Sequence, residues 1–230
     1  MYQSRGRLDT TAIAGSAVFS ALAIVLAGAS QALGLNFPLI PYLQFDLGEV
    51  AIILAFFLFG PVPSLVSSFV EFFGLEVFGQ NLPVGPPLKL IALVSTVAGL
   101  WLGTKIAARG EGTNLSKLTG WATVLGSAVR AAAMTVPNLY LIMYLYGFAA
   151  IEGYLKPLFA PVGIVLTDSN ALLVILGFTA FFNVLQLVFV MAISSFVLRF
   201  PAISQVKVGG RVPWFVTVLK PSGLAANPLR

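Results

Sequence analysis

Two ionisable side chains, Glu71 and Arg130, fall inside long apolar runs of this 230-residue chain. An unpaired charge at the centre of such a segment costs at least ~2.5–3.5 kcal/mol in a bilayer. Each residue lies roughly 12–16 Å along its run at a helical rise of 1.5 Å per residue. Similar depth lets the two meet, and the spacing predicts a structural ion pair, Glu71–Arg130, that holds two helices together. Structural ion pairs are common, which favours this role over a substrate or coupling contact.

The same runs carry amides. Asn138 follows Pro137, and Asn183 and Gln186 stand three apart, on one helical face. Pro137 has no backbone N–H and frees a nearby carbonyl. Irregular backbone at membrane depth is tolerated where it lines a cavity buried in protein. Together these groups form a candidate site for a polar, uncharged ligand. Taken one at a time they are ordinary interhelical hydrogen bonds, worth ~0.6 kcal/mol each.

Residues 34–45, GLNFPLIPYLQF, make an unusually apolar connection. Phe37, Tyr42 and Phe45 are candidates to stack on a flat ligand beneath a lid. The same segment also suits an interfacial loop resting among headgroups. Asp46 and Glu49 follow with D-x-x-E spacing, a capping-box pattern, and capping is the expected role of both.

Other chemistry is missing. The chain has no cysteine and no histidine, which removes disulfides, thiol nucleophiles and histidine-based metal sites. There is no Walker motif, no paired-carboxylate site and no G-x-S-x-G elbow. No catalytic residue, metal or resident cofactor is expected, and the chain is not expected to be an enzyme. If it moves a solute, the energy comes from elsewhere.

The elements that position these residues follow from hydropathy. Hydrophobic residues make up 58% of the chain and charged residues 9%, against roughly 25% charged in an average soluble domain. Apolar runs near the ~20 residues needed to cross a bilayer occupy 10–33, 87–107, 119–148 and 170–198, with two shorter ones at 46–59 and 63–78. Gly60-Pro61-Val62-Pro63 breaks what would otherwise be one long helix from 46 to 78. The expectation is an all-α membrane protein of six transmembrane helices. It divides into an N-terminus (1–9), a membrane domain (10–199) and a tail (200–230). The apolar piece 213–219 is too short to span; it suits the interface, packing on the cytoplasmic face, or a loose tail.

Charge orients the bundle. With six spans, one side holds Arg5, Arg7, Lys105, Arg109, Lys117, Arg199, Lys207, Arg211, Lys220 and Arg230 against Asp9 and Glu111. The other holds Lys89 and Lys156 against Asp46, Glu49, Glu76, Glu152 and Asp168. Ten basic residues against two acidic mark the first side as cytoplasmic, with both termini on it. The net charge of +5 is therefore a topology signal, and no nucleic-acid partner is expected. The first run resembles a signal peptide at Ala27-Gly28-Ala29, but its length argues against cleavage. That run is also rich in small residues. Ala14, Ala17 and Ala21, with Ser16 and Ser20, offer a face that another helix can approach closely.

Four stretches resemble the substrate-binding S components of energy-coupling factor (ECF) vitamin transporters. They are Gln44-Phe45-Asp46-Leu47-Gly48-Glu49 with Phe59-Gly60-Pro61, the alanine-rich first helix, Arg130…Met134…Asn138 with its following tyrosines, and Phe182-Asn183-Val184-Leu185-Gln186. The last two are most similar to the riboflavin-binding branch, and the likeness covers roughly residues 10–199. The resemblance implies a vitamin, riboflavin first, carried as transported ligand in the outer half beneath the first loop. Asn138 and Asn183 match asparagines that contact riboflavin in that branch. Gln186 departs from it, standing where the pattern has a lysine. The resemblance further implies that Ala14, Ala17 and Ala21 dock on a transmembrane coupling subunit driven by two ATPase subunits, in a prokaryotic cell membrane. The alternatives are an S component for another vitamin or a nucleobase-like solute, an intramembrane enzyme acting on lipid or isoprenoid substrates, and a structural subunit without a ligand.

Overall fold

The computed structural model describes residues 9–79, 82–110, 112–205 and 212–219. Arg5, Arg7, Glu111, Lys207, Arg211, Lys220 and Arg230 lie outside the described residues. So do most of the expected N-terminal segment 1–9 and much of the tail 200–230.

Among the described residues the chain is helical apart from one small hairpin. Helix α1 (Thr10–Ala32) starts at Asp9, whose carboxylate accepts from Ala12 N at 2.8 Å, satisfying one of the free amides of the first turn. Strands β1 (Asn36–Phe37) and β2 (Ile40–Gln44) pair antiparallel. Helix α2 (Gly48–Phe59) ends at Gly60, whose φ of +103° lies in the region open to glycine. Pro61 then opens α3 (Pro61–Phe78), where its fixed φ suits the first helical position. Helix α4 covers Gly85–Arg109 and α5 covers Leu115–Tyr140; the latter runs past Pro137 into a π-helical turn, Leu141–Leu145. Helix α6 (Phe148–Phe159) precedes α7 (Ala171–Leu198), and two short helices follow, α8 (Pro201–Gln205) and α9 (Trp214–Leu219).

Among the described residues, five helices are long and apolar enough to cross a membrane: α1, α3, α4, α7 and α5 with its π turn. Many large apolar side chains, such as Phe73, Phe78 and Leu173, face outward, as lipid-solvated helices require. The expected second span differs. At 12 residues, α2 is ~18 Å long, and nine of its residues are buried. That is the length of a core helix rather than of a span. It still reverses the chain. Ser30 near the end of α1 bonds Leu47 N, while Ser16 near its start bonds Pro63 O. Thus α2 runs antiparallel to α1, and α3 runs parallel to it.

Two cores result, one at each end of the bundle. The tail-end core gathers Phe56 and Phe57 of α2, Leu100 of α4, Leu118 of α5, Leu198 of α7 and Phe215 of α9. The hairpin-end core gathers Phe37, Ile40, Ile142, Leu155 and Phe159 with Ile175 and Phe182 of α7. Helices α4 and α5 approach closely through glycine. A Cβ on Gly99 would lie 2.6 Å from Gly126 Cα, and one on Gly103 would strike the Trp121 carbonyl. Contact this close is the use of small-xxx-small spacing in membrane helices.

Candidate functional site

Between the two cores lies a layer of polar and charged side chains around a cavity of about 180 Å³. Every long helix and the hairpin contribute to its wall. Among its residues are Ser30, Tyr42, Asp46, Glu49, Lys89, Arg130, Asn138 and Asn183. Met134, Leu141 and Phe182 supply apolar surface.

The charges fall into two groups. Arg130, from α5, meets Glu49 of α2 in a two-pronged pair: Nη1 to Oε2 at 2.5 Å and Nη2 to Oε1 at 2.9 Å. Such fork-to-fork bonding is the strongest geometry a guanidinium offers a carboxylate. Its Nε donates to Asn183 Oδ1 at 3.0 Å, and Nη1 also reaches Thr96 Oγ1 at 3.3 Å. In the second group Lys89 of α4 bridges two carboxylates, donating to Glu71 Oε1 at 2.5 Å and pairing with Asp46.

The expected pair Glu71–Arg130 is therefore corrected. Glu49 occupies both terminal nitrogens of Arg130, and the cation that Glu71 meets comes from α4. Similar depth along two helices made their pairing geometrically open, but α4 packs on both α3 and α5 and brings Lys89 in first. The capping role changes as well. Asp46 Oδ1 accepts from Gly48 N at 2.6 Å, a local turn, whereas Glu49 faces inward to Arg130. Lys89, counted by sequence among the charges of the outer side and falling at the start of the run 87–107, sits on the first turns of α4. Its position two residues beyond Pro86-Pro87, which suit a helix start, is the signal that marks it as helical.

The amides are differently engaged than their types suggest. Gln186 clasps the backbone of Asp46, accepting from its N at 3.3 Å and donating to its O at 2.9 Å. It holds the hairpin's exit against α7. Asn183 accepts from Arg130 and donates to Thr179 O at 2.9 Å. Asn138 lines the cavity, with Nδ2 donating to Met134 O at 2.6 Å. Of the three, Asn138 and Asn183 border the cavity.

The aromatic residues of the hairpin also separate. Phe37 and Phe45 turn into the hairpin-end core and stack on Phe182, at centroid distances of 5.5 and 5.0 Å. Tyr42 faces the cavity. Desolvation pushes its phenol up to about 12 from 10.0, opposed by a hydrogen bond with the Thr179 side chain. The hairpin is pinned to α1 by Gln44 Nε2 donating to Ser30 O at 3.2 Å and Leu47 N donating to Ser30 Oγ at 2.8 Å.

No known protein family, curated protein or solved structure matches the chain. The site is thus described by its own geometry. Its wall offers a two-sign electrostatic surface, the amides of Asn138 and Asn183 and the phenol of Tyr42, interspersed with apolar side chains. Away from the cavity, Ala14, Ala17 and Ala21 are exposed on α1. The opposite face of α1 packs inward through Gly15, Ser16, Ser20, Ala23 and Ala27.

Proposed function

We propose that this chain captures a small polar solute in a membrane, as the substrate-binding subunit of an ECF-type vitamin transporter. Buried charge carries the reading. Polar groups at membrane depth are costly to keep and mark solute pathways, and here they surround a cavity instead of filling the interior. In this reading α1, α3, α4, α5 and α7 span a prokaryotic cell membrane. Helix α2 completes a six-fold up-and-down path, both termini are cytoplasmic and the hairpin faces outward. The uncovered alanine face of α1 meets the transmembrane coupling subunit, and two ATPase subunits supply the energy.

Riboflavin is the vitamin that the resemblance points to. The volume favours the other transport reading, a different and smaller vitamin or nucleobase-like solute. Ligand sites for drug-sized molecules span roughly 300–1,000 Å³, so a flavin needs this cavity to widen, and only Tyr42 of the three hairpin aromatics faces it.

Purification in detergent separates these. Flavin capture predicts a yellow protein that quenches added riboflavin fluorescence. A colourless protein that ignores riboflavin removes the flavin and leaves solute capture standing. Co-purification of a tagged chain with a coupling subunit and two ATPases supports the transporter assignment. Isolation of the chain alone, from cells that make those subunits, overturns it.

A further inference from the structure

The charges around the cavity do not balance. Arg130 and Glu49 form a closed one-to-one pair. Lys89 serves two carboxylates, Asp46 and Glu71. Tyr42 is the remaining titratable side chain in the wall. With Asp46, Glu49 and Glu71 ionised against Lys89 and Arg130, the layer carries one surplus negative charge, on the Asp46–Lys89–Glu71 side. Glu71 is fully buried, and its Oε2 has no hydrogen-bond partner among the described residues. Asp46, by contrast, lines the cavity and its side chain keeps 18% exposure.

An uncompensated charge removed from water costs several kcal/mol. The layer is neutral in two ways only: one carboxyl holds a proton, or a cation sits beside the carboxylates. The free oxygen of Glu71 fits the first state, because a protonated carboxyl leaves Lys89 to Asp46. The open wall at Asp46 fits the second. At about 180 Å³ the cavity equals about six waters at ~30 Å³ each, room for one ring or a compact onium group.

We propose that the ligand of this cavity is a small organic monocation seated against Asp46, and that Glu71 holds the balancing proton when the ligand is absent. The inference rests on the cavity being a solute site. Charge is conserved through the exchange. The cation enters and draws on Asp46, Lys89 shifts its hydrogen bonding toward Glu71, and the Glu71 carboxyl loses its proton to water. Three carboxylates then face Lys89, Arg130 and the ligand. Ligand binding is thereby coupled to release of one proton.

The test uses the full chain in lipid nanodiscs with paired probes. These are choline against its uncharged isostere 3,3-dimethyl-1-butanol, 1-methylnicotinamide against nicotinamide, and thiamine against riboflavin. Thermal stabilisation and titration report binding, and a pH indicator in weak buffer reports protons. At least one cation is expected to bind at least about tenfold tighter than its neutral partner, releasing about one proton. Its affinity then rises by up to tenfold per pH unit while Glu71 is protonated in the free protein. Glu71→Gln, which leaves only two carboxylates to face Lys89, Arg130 and the ligand, is expected to weaken cation binding and to lose the proton release. Where that variant does not fold, the pH slope of wild-type binding measures the same proton coupling. Binding of neutral riboflavin or nicotinamide in preference to every cation overturns the monocation and leaves the solute site intact. Cation binding with a flat pH profile overturns the role of Glu71. Failure of every probe to bind removes the solute site and this inference together.

Discussion

The two cores are made of the same kinds of side chain but of different backbone. At the tail end, regular helices α2, α4, α5 and α7 meet, and their contact residues are almost completely buried. Glycines 99 and 103 draw α4 onto α5 there, and Trp214 of α9 lies over Gly60 and packs on Phe56 at 5.1 Å. At the hairpin end the core is assembled from two short strands, a π turn and the 12-residue α6. Gly147 and Gly163, at φ of +80° and +78°, flank α6. Close packing resists small displacement, whereas short elements joined at glycines open locally at low cost. The difference makes the tail end the rigid half, and in the proposed solute-capture reading it puts ligand entry at the hairpin end, with the charged layer as the boundary.

The most damaging change to this division is at the boundary. Arg130→Met leaves Glu49 buried and unpaired, and removing one partner of a buried pair costs about 3–5 kcal/mol. Thermal unfolding in detergent is expected to show that loss, with much of it recovered in Glu49→Gln/Arg130→Met. An unchanged midpoint contradicts the pairing. Next comes the tail-end core. Phe215→Ala empties a fully buried site, and such changes cost about 3 kcal/mol or more; wild-type stability means that α9 does not dock in solution. Gly103→Ala forces α4 from α5 at a cost of about 1–3 kcal/mol, measured the same way, whereas the same change at the open Gly153 of α6 has little effect. Equal sensitivity at the two positions erases the contrast. Gln186→Leu strands two backbone groups of Asp46, costing about 1–3 kcal/mol, and is expected to increase hydrogen exchange in the hairpin before it affects α4.

The smallest effect is alkaline. The Tyr42 phenol is raised to about 12 in the folded protein from 10.0. The folded state therefore holds that proton more tightly than the unfolded chain does. This contribution to stability is complete below the unfolded value and is lost as pH rises through the folded one. Tyr42→Phe is expected to flatten that segment of the stability–pH curve and leave the neutral range unchanged.

The long spans were legible because hydropathy is a local property: α1 and α7 begin and end within a residue or two of their apolar runs. The Gly60-Pro61 turn was equally legible, since glycine and proline act on their own backbone. Helix α6 was not. Gly153, Lys156 and Pro157 interrupt its apolarity, and its burial depends on α7 and the hairpin rather than on lipid. Packing of 213–219 on the bundle was one of three readings its sequence left open, as Phe215 finds its partners across the bundle. The site was half legible. Glu71, Arg130, Asn138 and Asn183 stood out as polar residues in apolar runs, and all four belong to the layer. Their partners, Glu49 and Lys89, did not, because residues at helix ends have local explanations that fit their sequence spacing. Gln186 was recognised by type but not by task, since its contact lies 140 positions away.

The central claim is that the charged layer encloses a solute site, and native mass spectrometry of the chain released from mild detergent tests it most directly. One bound small molecule is expected on the wild type after growth in rich medium, with its occupancy reduced in Asn138→Ala at unchanged folded yield. A bare mass for the wild type, which no exogenous vitamin shifts, would contradict it.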